Sequence, residues 1–172
     1  MSELSHLDSQ GRARMVDVGH KPSTHRFAAA EGWIRMSREA FALVKASRIA
    51  KGDVLTVAEV AGIQAAKRTA ELIPLCHPLP LDRVLVTATL DSKLPGVRVR
   101  AETRVEGKTG VEMEALTACA VALLAVYDMV KAADHAMEIG GIRLLEKSGG
   151  LTGEWKVERG ASSGSGATAP DG

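Results

Sequence analysis

The sequence predicts an α+β fold, with helices packed on one face of a small antiparallel sheet. Three observations carry this. Residues 97–106 alternate strictly. Val97, Val99, Ala101, Thr103 and Val105 face one way, and Arg98, Arg100, Glu102, Arg104 and Glu106 face the other. That pattern belongs to a half-buried antiparallel strand. Upstream, "RVLVTATL" puts Val84, Val86, Ala88 and Leu90 on one face, and "KLPG" joins the two strands as a hairpin. Downstream, about Glu112 to Ala133 reads as a long helix, apolar or small nearly all round between Ala115 and Val126. One sheet face cannot cover such a helix on both sides, so a second cover from another subunit is expected.

The remaining elements follow in chain order. "WIRMS" reads as a short strand. Ser37 can cap a helix running to about Arg48, with Ala40, Phe41, Val44 and Ser47 along one face. "KGD" breaks it, and a second helix is expected from about Val54 to Leu72, stopped by Pro74. Prolines 74, 78 and 80 make "LCHPLPL" a stiff extended loop. After the long helix, "MEIGGIRLLEKSGG" is expected to give a strand or short helix and a glycine-rich loop, and "GEWKV" an edge strand. The expected organisation is a flexible segment at 1–14, one ordered domain at 15–158, and a disordered Gly/Ser/Ala-rich tail at 159–172.

Composition excludes several function classes. The chain has 172 residues, enough for one domain with a real core. Aromatic residues make up 3%, too few for a base-stacking platform on single-stranded nucleic acid. The formal net charge is +1, so no bulk field favours nucleic acid or a membrane surface, and anions must be held by local clusters. Cys76 and Cys119 are the only cysteines; they form no CxxC pattern, and His77 beside Cys76 does not complete a zinc set. A reduced, cytoplasmic protein is the simplest reading. The N-terminus has no apolar signal-peptide core, and the apolar run at 115–126 is too short to span a bilayer.

The residues that could carry chemistry lie mostly on or near the long helix. "GKTGVEME" is not a phosphate-binding loop, because Glu102 stands where the first glycine belongs. It reads instead as a capping box, Thr109 capping the helix and Glu112 reaching back. Glu114 has Thr117 and Ala118 as its helical neighbours and no cation there. It is either a solvated charge in the first turn or a carboxylate able to accept the paired N–H donors of a guanine-like ring. Asp128 and Lys131 stand one turn apart. The plain reading is an intrahelical ion pair. Set at the rim of a buried helix, the two would have their pKa values moved toward neutrality and could serve as an acid/base couple. Cations gather elsewhere: Lys21, His25 and Arg26, Lys51, Lys67 and Arg68, and Lys147, whose following Ser148, Gly149 and Gly150 could close backbone N–H groups around an anion. His77 is held by the proline-stiffened loop.

Taken together, "MVDVGHK", "KGDVL", "AGIQAAKRT", "LIPLCHPLPL", "GKTGVEMEALTA", "YDMVKA" and "LLEKSGG" resemble the MoaC family of molybdenum-cofactor biosynthesis, the cyclic pyranopterin monophosphate synthases, over about Met15 to Val157. The resemblance implies a ferredoxin-like subunit assembled as a hexamer, a trimer of dimers, with the active site at a subunit interface. It implies a lyase that converts a 3′,8-cyclised dihydro-GTP to cyclic pyranopterin monophosphate and releases pyrophosphate, with no metal or organic cofactor. By position it makes Asp128 and Lys131 the acid/base pair. It gives Leu75, Cys76 and His77, with Glu112, Met113 and Glu114, to substrate contact. Lys51, Lys67 and Lys147 become cations of the pocket, with Lys21 and Arg26 near them. The alternative is a non-catalytic nucleotide-binding scaffold, which would gain little from an Asp128–Lys131 couple.

Overall fold

The computed structural model describes residues 10–151 and 153–158. Residues 1–9 of the expected N-terminal segment, and the whole expected tail at 159–172, lie outside the described residues. The elements are β1 (Thr24–Arg35), α1 (Arg38–Lys45), α2 (Val54–Ala66), α3 (Thr69–Leu72), β2 (Arg83–Asp91), β3 (Gly96–Gly107), α4 (Glu112–Val130), β4 (Glu138–Ser148) and β5 (Trp155–Lys156). The sheet order is β2-β3-β1-β4-β5, and every neighbouring pair is antiparallel. The order β4-β1-β3-β2, with helices between β1 and β2 and between β3 and β4, is the split βαβ arrangement of a ferredoxin-like subunit.

One sheet face carries the core. Val86, Ala88, Val97, Val99, Ala101 and Val105 are buried there, as the alternation predicts, together with Ala28, Ala30 and Ile34 of β1. Leu90, expected on the same face, lies near the strand end and stays exposed.

β1 is much longer than the short strand expected at "WIRMS". It begins at Thr24 and takes in "THRFAAAEG". Alanine favours helices, and three in a row show no alternation. The strand forms because it is central, paired on both edges by β3 and β4. Its small residues let α4 approach closely: a Cβ placed on Gly32 would stand 2.8 Å from Leu123 Cδ1 and 3.2 Å from Cys119 Sγ.

The expected helix at 54–72 divides in two. Asp53 caps α2, its carboxylate accepting from the Leu55 and Thr56 N–H groups. α2 ends at Ala66, where the Thr69 hydroxyl donates to the carbonyl of Ala66 at 3.0 Å and of Ala65 at 3.4 Å. Side-chain bonds of this kind compete with the helical ladder. Ser37 caps α1 as predicted, accepting from the Ala40 N–H at 3.2 Å.

α4 is not covered as expected either. By length and composition it could cross a bilayer, although the shorter run at 115–126 alone could not. It is instead the core helix, with Ala115, Ala118, Cys119, Ala122, Leu123 and Val126 fully buried. Its second cover is α2 of the same chain: a Cβ on Gly62 would lie 2.8 Å from the Ala118 carbonyl oxygen. Met113 and Leu124 on α4, and Val57 and Val60 on α2, remain exposed.

Candidate active site

The expected site residues gather in three places around α4. The first is its C-terminal end. Lys131 Nζ stands 2.7 Å from Asp128 Oδ1, and Lys51 Nζ stands 2.7 Å from both Asp128 Oδ2 and the Asp128 carbonyl oxygen. Lys51 reaches there from the turn before α2, which Gly52 forms at φ 102°. An ammonium on a carbonyl at a helix C-terminus satisfies one orphan acceptor and suits the helix dipole.

This triad corrects the expectation of a buried pair. The Asp128 side chain is 57% exposed and that of Lys131 49%. The pKa values therefore move apart rather than toward neutrality. Hydrogen bonds from Lys131 and then Lys51 hold the Asp128 carboxyl down at about 2, and the Asp128 partner raises Lys131. In the lone subunit Lys131 is a charged hydrogen-bond donor and Asp128 a fixed negative charge.

The second place is the N-terminal half of α4. Glu114, Lys67, Arg68 and the Pro78-Leu79-Pro80 wall line a cavity of about 360 Å³. Glu114 is 4% exposed, so the solvated-charge reading is excluded. Burial raises its carboxyl above the ordinary range, and the Glu112 charge adds to the rise. Cys76 is close enough to feel Glu114; burial first, and that charge second, push its thiol up. A protonated thiol beside a buried carboxylate can bind but is a poor nucleophile at neutral pH. Leu75 and His77 flank Cys76 and are half-buried, and Met113 is exposed at the helix start.

The third place is a cavity of about 260 Å³ lined by Lys21, Arg26, Glu112, Lys147 and Gly149, among others. Here Glu112 is no capping residue. The N-cap of α4 is Val111, with no side-chain cap bond, and Thr109 does not cap. The Thr103 hydroxyl donates to the Val111 carbonyl and fixes the helix entry instead. Glu112 is thereby left to pair with Lys147 at 2.8 Å, both side chains less than a third exposed. The glycine loop also differs from expectation. Gly149 (φ 98°) and Gly150 (φ 75°) fold onto Arg26, where a Cβ on Gly150 would collide with the guanidinium. The glycines make room for a cation. Arg26 itself donates to the Gly107 and Lys108 carbonyls, at 3.3 and 3.4 Å.

The second and third places are linked by Glu112 and Glu114, two residues apart on α4, the Glu112 charge reaching Glu114. The first does not join them. Fourteen residues of helix separate Glu114 from Asp128, about 21 Å at 1.5 Å per residue. The pairing of Glu112 with Lys147, 35 residues apart, and the proline wall beside Glu114 carried no local sequence signal.

Glu114 gives a checkable pH dependence. A carboxyl whose pKa is raised by folding binds more protons in the native state than in the unfolded one. Stability therefore falls as pH rises above the ordinary carboxylate range. Glu114→Gln removes this, so the variant should melt above the wild type near neutrality, with the two converging below about pH 4. A buried charge without a cation costs on the order of 1–3 kcal/mol, which corresponds to several degrees in a chain of this size. Parallel melting curves from pH 4 to 8 would show that Glu114 carries no such penalty.

Comparison with known proteins gives the family. The sequence model of the MoaC family matches residues 15–150. The chain is 57% identical over 160 residues to the cyclic pyranopterin monophosphate synthase of Brucella melitensis biotype 2, covering 93% of this chain and 97% of that protein. It is 57% identical over 155 residues to the synthase of Brucella ovis, covering 90% and 94%, and 56% identical over 160 residues to that of Brucella canis, covering 93% and 97%. With a family match across the ordered domain and relatives aligned over nearly their full length, the chain belongs to the MoaC family.

Proposed function

We propose that the chain catalyses the reaction named by its relatives, formation of cyclic pyranopterin monophosphate in molybdenum-cofactor biosynthesis. The substrate is a 3′,8-cyclised dihydro-GTP, and pyrophosphate is released. The observation that carries this is the identity over nearly the full length of both this chain and synthases so named. A non-catalytic scaffold is not favoured.

The reaction opens one ring, closes another and forms a cyclic phosphate. It needs proton transfers and a site for charge building on a leaving pyrophosphate. Lys131 is the proton donor and Asp128 the charge that orients it and Lys51. Glu114 accepts from the guanine-derived ring in its pocket, between Lys67 and the Leu75–Cys76–His77 loop, with Met113 at the rim. Lys147, Lys21 and Arg26 receive the triphosphate, which takes over from Glu112 as the partner of Lys147.

A substrate held at the N-terminal end of α4 lies about 21 Å from the Asp128 cluster of its own subunit. The proposed site therefore combines one subunit's Asp128, Lys131 and Lys51 with the pocket of a neighbour. A hexamer built as a trimer of dimers supplies such pairs, and the exposed Met113, Leu124, Val57 and Val60 are apolar side chains available for contact. Both cysteines are free, which suits a cytoplasmic enzyme.

Incubation with the cyclised nucleotide should release pyrophosphate. Recovery of unchanged nucleotide would leave only the scaffold reading. Lys147→Ala should raise KM by about tenfold or more, the loss expected when a charge-assisted contact is removed. An unchanged KM would remove Lys147 from triphosphate binding.

A further inference from the structure

The sheet face opposite the helices carries rows of charge, and one end of it is unbalanced. Arg35 pairs with Glu138. Arg98 pairs with Asp91 at 2.5 Å, Arg100 with Glu102 and Glu146 at 2.9 Å each, and Arg143 with Glu31 at 2.7 Å. Arg83 and Arg104 differ. They stand directly opposite each other on β2 and β3, an arrangement of like charges that destabilises a sheet. Among the described residues neither has a carboxylate partner.

These two arginines line a cavity of about 620 Å³ with His25, Arg26, Phe27, Asp82 and Ser148. The Arg104 guanidinium carbon lies over the Phe27 ring, 5.4 Å from its centre, a cation–π contact that uses the face of the fork and not its N–H groups. The one carboxylate in the lining, Asp82, accepts from the Glu106 backbone N–H at 2.7 Å rather than from either arginine. Arg26, Phe27 and Ser148 also line the neighbouring cavity that holds Lys21 and Lys147. The two cavities therefore share a wall.

We propose that the Arg83–Arg104 end of this face is a second oxyanion site, and that its ligand is the pyrophosphate leaving the Lys147 cavity. The choice of pyrophosphate rests on the function proposed above; the charge imbalance does not. Two guanidinium forks side by side match a diphosphate better than a single phosphate. Passing the product from Lys147 by way of Arg26 to this pair would separate it from the cyclised product.

The test is calorimetric titration of the assembled protein with pyrophosphate, with no nucleotide present, at low ionic strength. The Lys147→Ala variant, with its first cavity weakened, should still bind pyrophosphate, and more tightly than orthophosphate. Adding Arg83→Gln and Arg104→Gln should weaken that binding about tenfold or more. The lysine replacements at both positions should fall between, since they keep charge and lose the fork. Arg98→Gln on the same face should change it less than twofold. Circular dichroism melts confirm that each variant folds. Loss of all pyrophosphate binding in Lys147→Ala, or unchanged binding in the arginine double variant, would overturn the site. Turnover plays no part in this titration. A chain that fails to process the cyclised nucleotide yet shows the arginine effect would end the functional proposal and keep the site.

Discussion

Asp128→Asn should lower turnover by roughly 10²–10⁴-fold, the range expected when a positioned proton-transfer group is disabled. The substitution keeps shape and removes charge. Two ammonium groups, from Lys51 and Lys131, now converge on Asp128 at 2.7 Å. Without its carboxylate they face each other uncompensated, and Lys131 is free to swing away. Lys131→Ala should cost a similar factor, and the double variant should be little worse than either single one, because the two act as a unit. The pH profile offers a separate check. With its carboxyl held at about 2 by Lys131 and Lys51, Asp128 stays ionised throughout the working range. It should contribute no acid limb to the rate between pH 5 and 8. Initial rates of pyrophosphate release measure all of this; normal turnover in Asp128→Asn would end the assignment.

Gly62→Val should strongly destabilise the packing of α2 on α4. Gly62 sits where α2 crosses α4 and touches β2: an added Cβ would meet the Ala118 carbonyl oxygen at 2.8 Å and the Val86 methyls at 3.1 and 3.2 Å. The first of these is backbone and cannot rotate aside. Valine adds two further methyls, so α2 must lift off the helix it covers. Overpacking of this kind costs about 3 kcal/mol or more. That corresponds to a fall in melting temperature of roughly 6–12 °C at 2–4 °C per kcal/mol for a chain of this size. Gly62→Ala should fall between. A Gly62→Val protein melting within a degree of the wild type would mean that α2 does not pack on α4 at this distance.

Elements with one wet face were legible in the sequence. β2 and β3 show their register because one side meets the core and the other meets water, so residue type alternates with direction. α1 announced itself through Ser37. The central strand did not: Ala28, Ala29 and Ala30 are all fully buried, and three alanines in succession show no alternation of residue type, although Glu31 and Arg35 further along the strand pair with Arg143 and Glu138. The break between α2 and α3 was hidden for a different reason. "AAKRTAEL" satisfies helical propensity throughout, yet at the break the Arg68 N–H turns to the Ala65 carbonyl and the Thr69 hydroxyl takes the Ala66 carbonyl.

The same division runs through the site. Its residue types, spacing and family pattern were all present in the sequence. So were the antiparallel sheet and the long core helix, since each follows from a local period of 2.0 or 3.6. Tertiary structure alone decided the charge states and partnerships. It buried Glu114 and exposed Asp128, turned Glu112 from a cap into the partner of Lys147, and separated the two ends of α4 by about 21 Å. Burial and distant pairing depend on where the other elements pack, and local spacing holds no record of that.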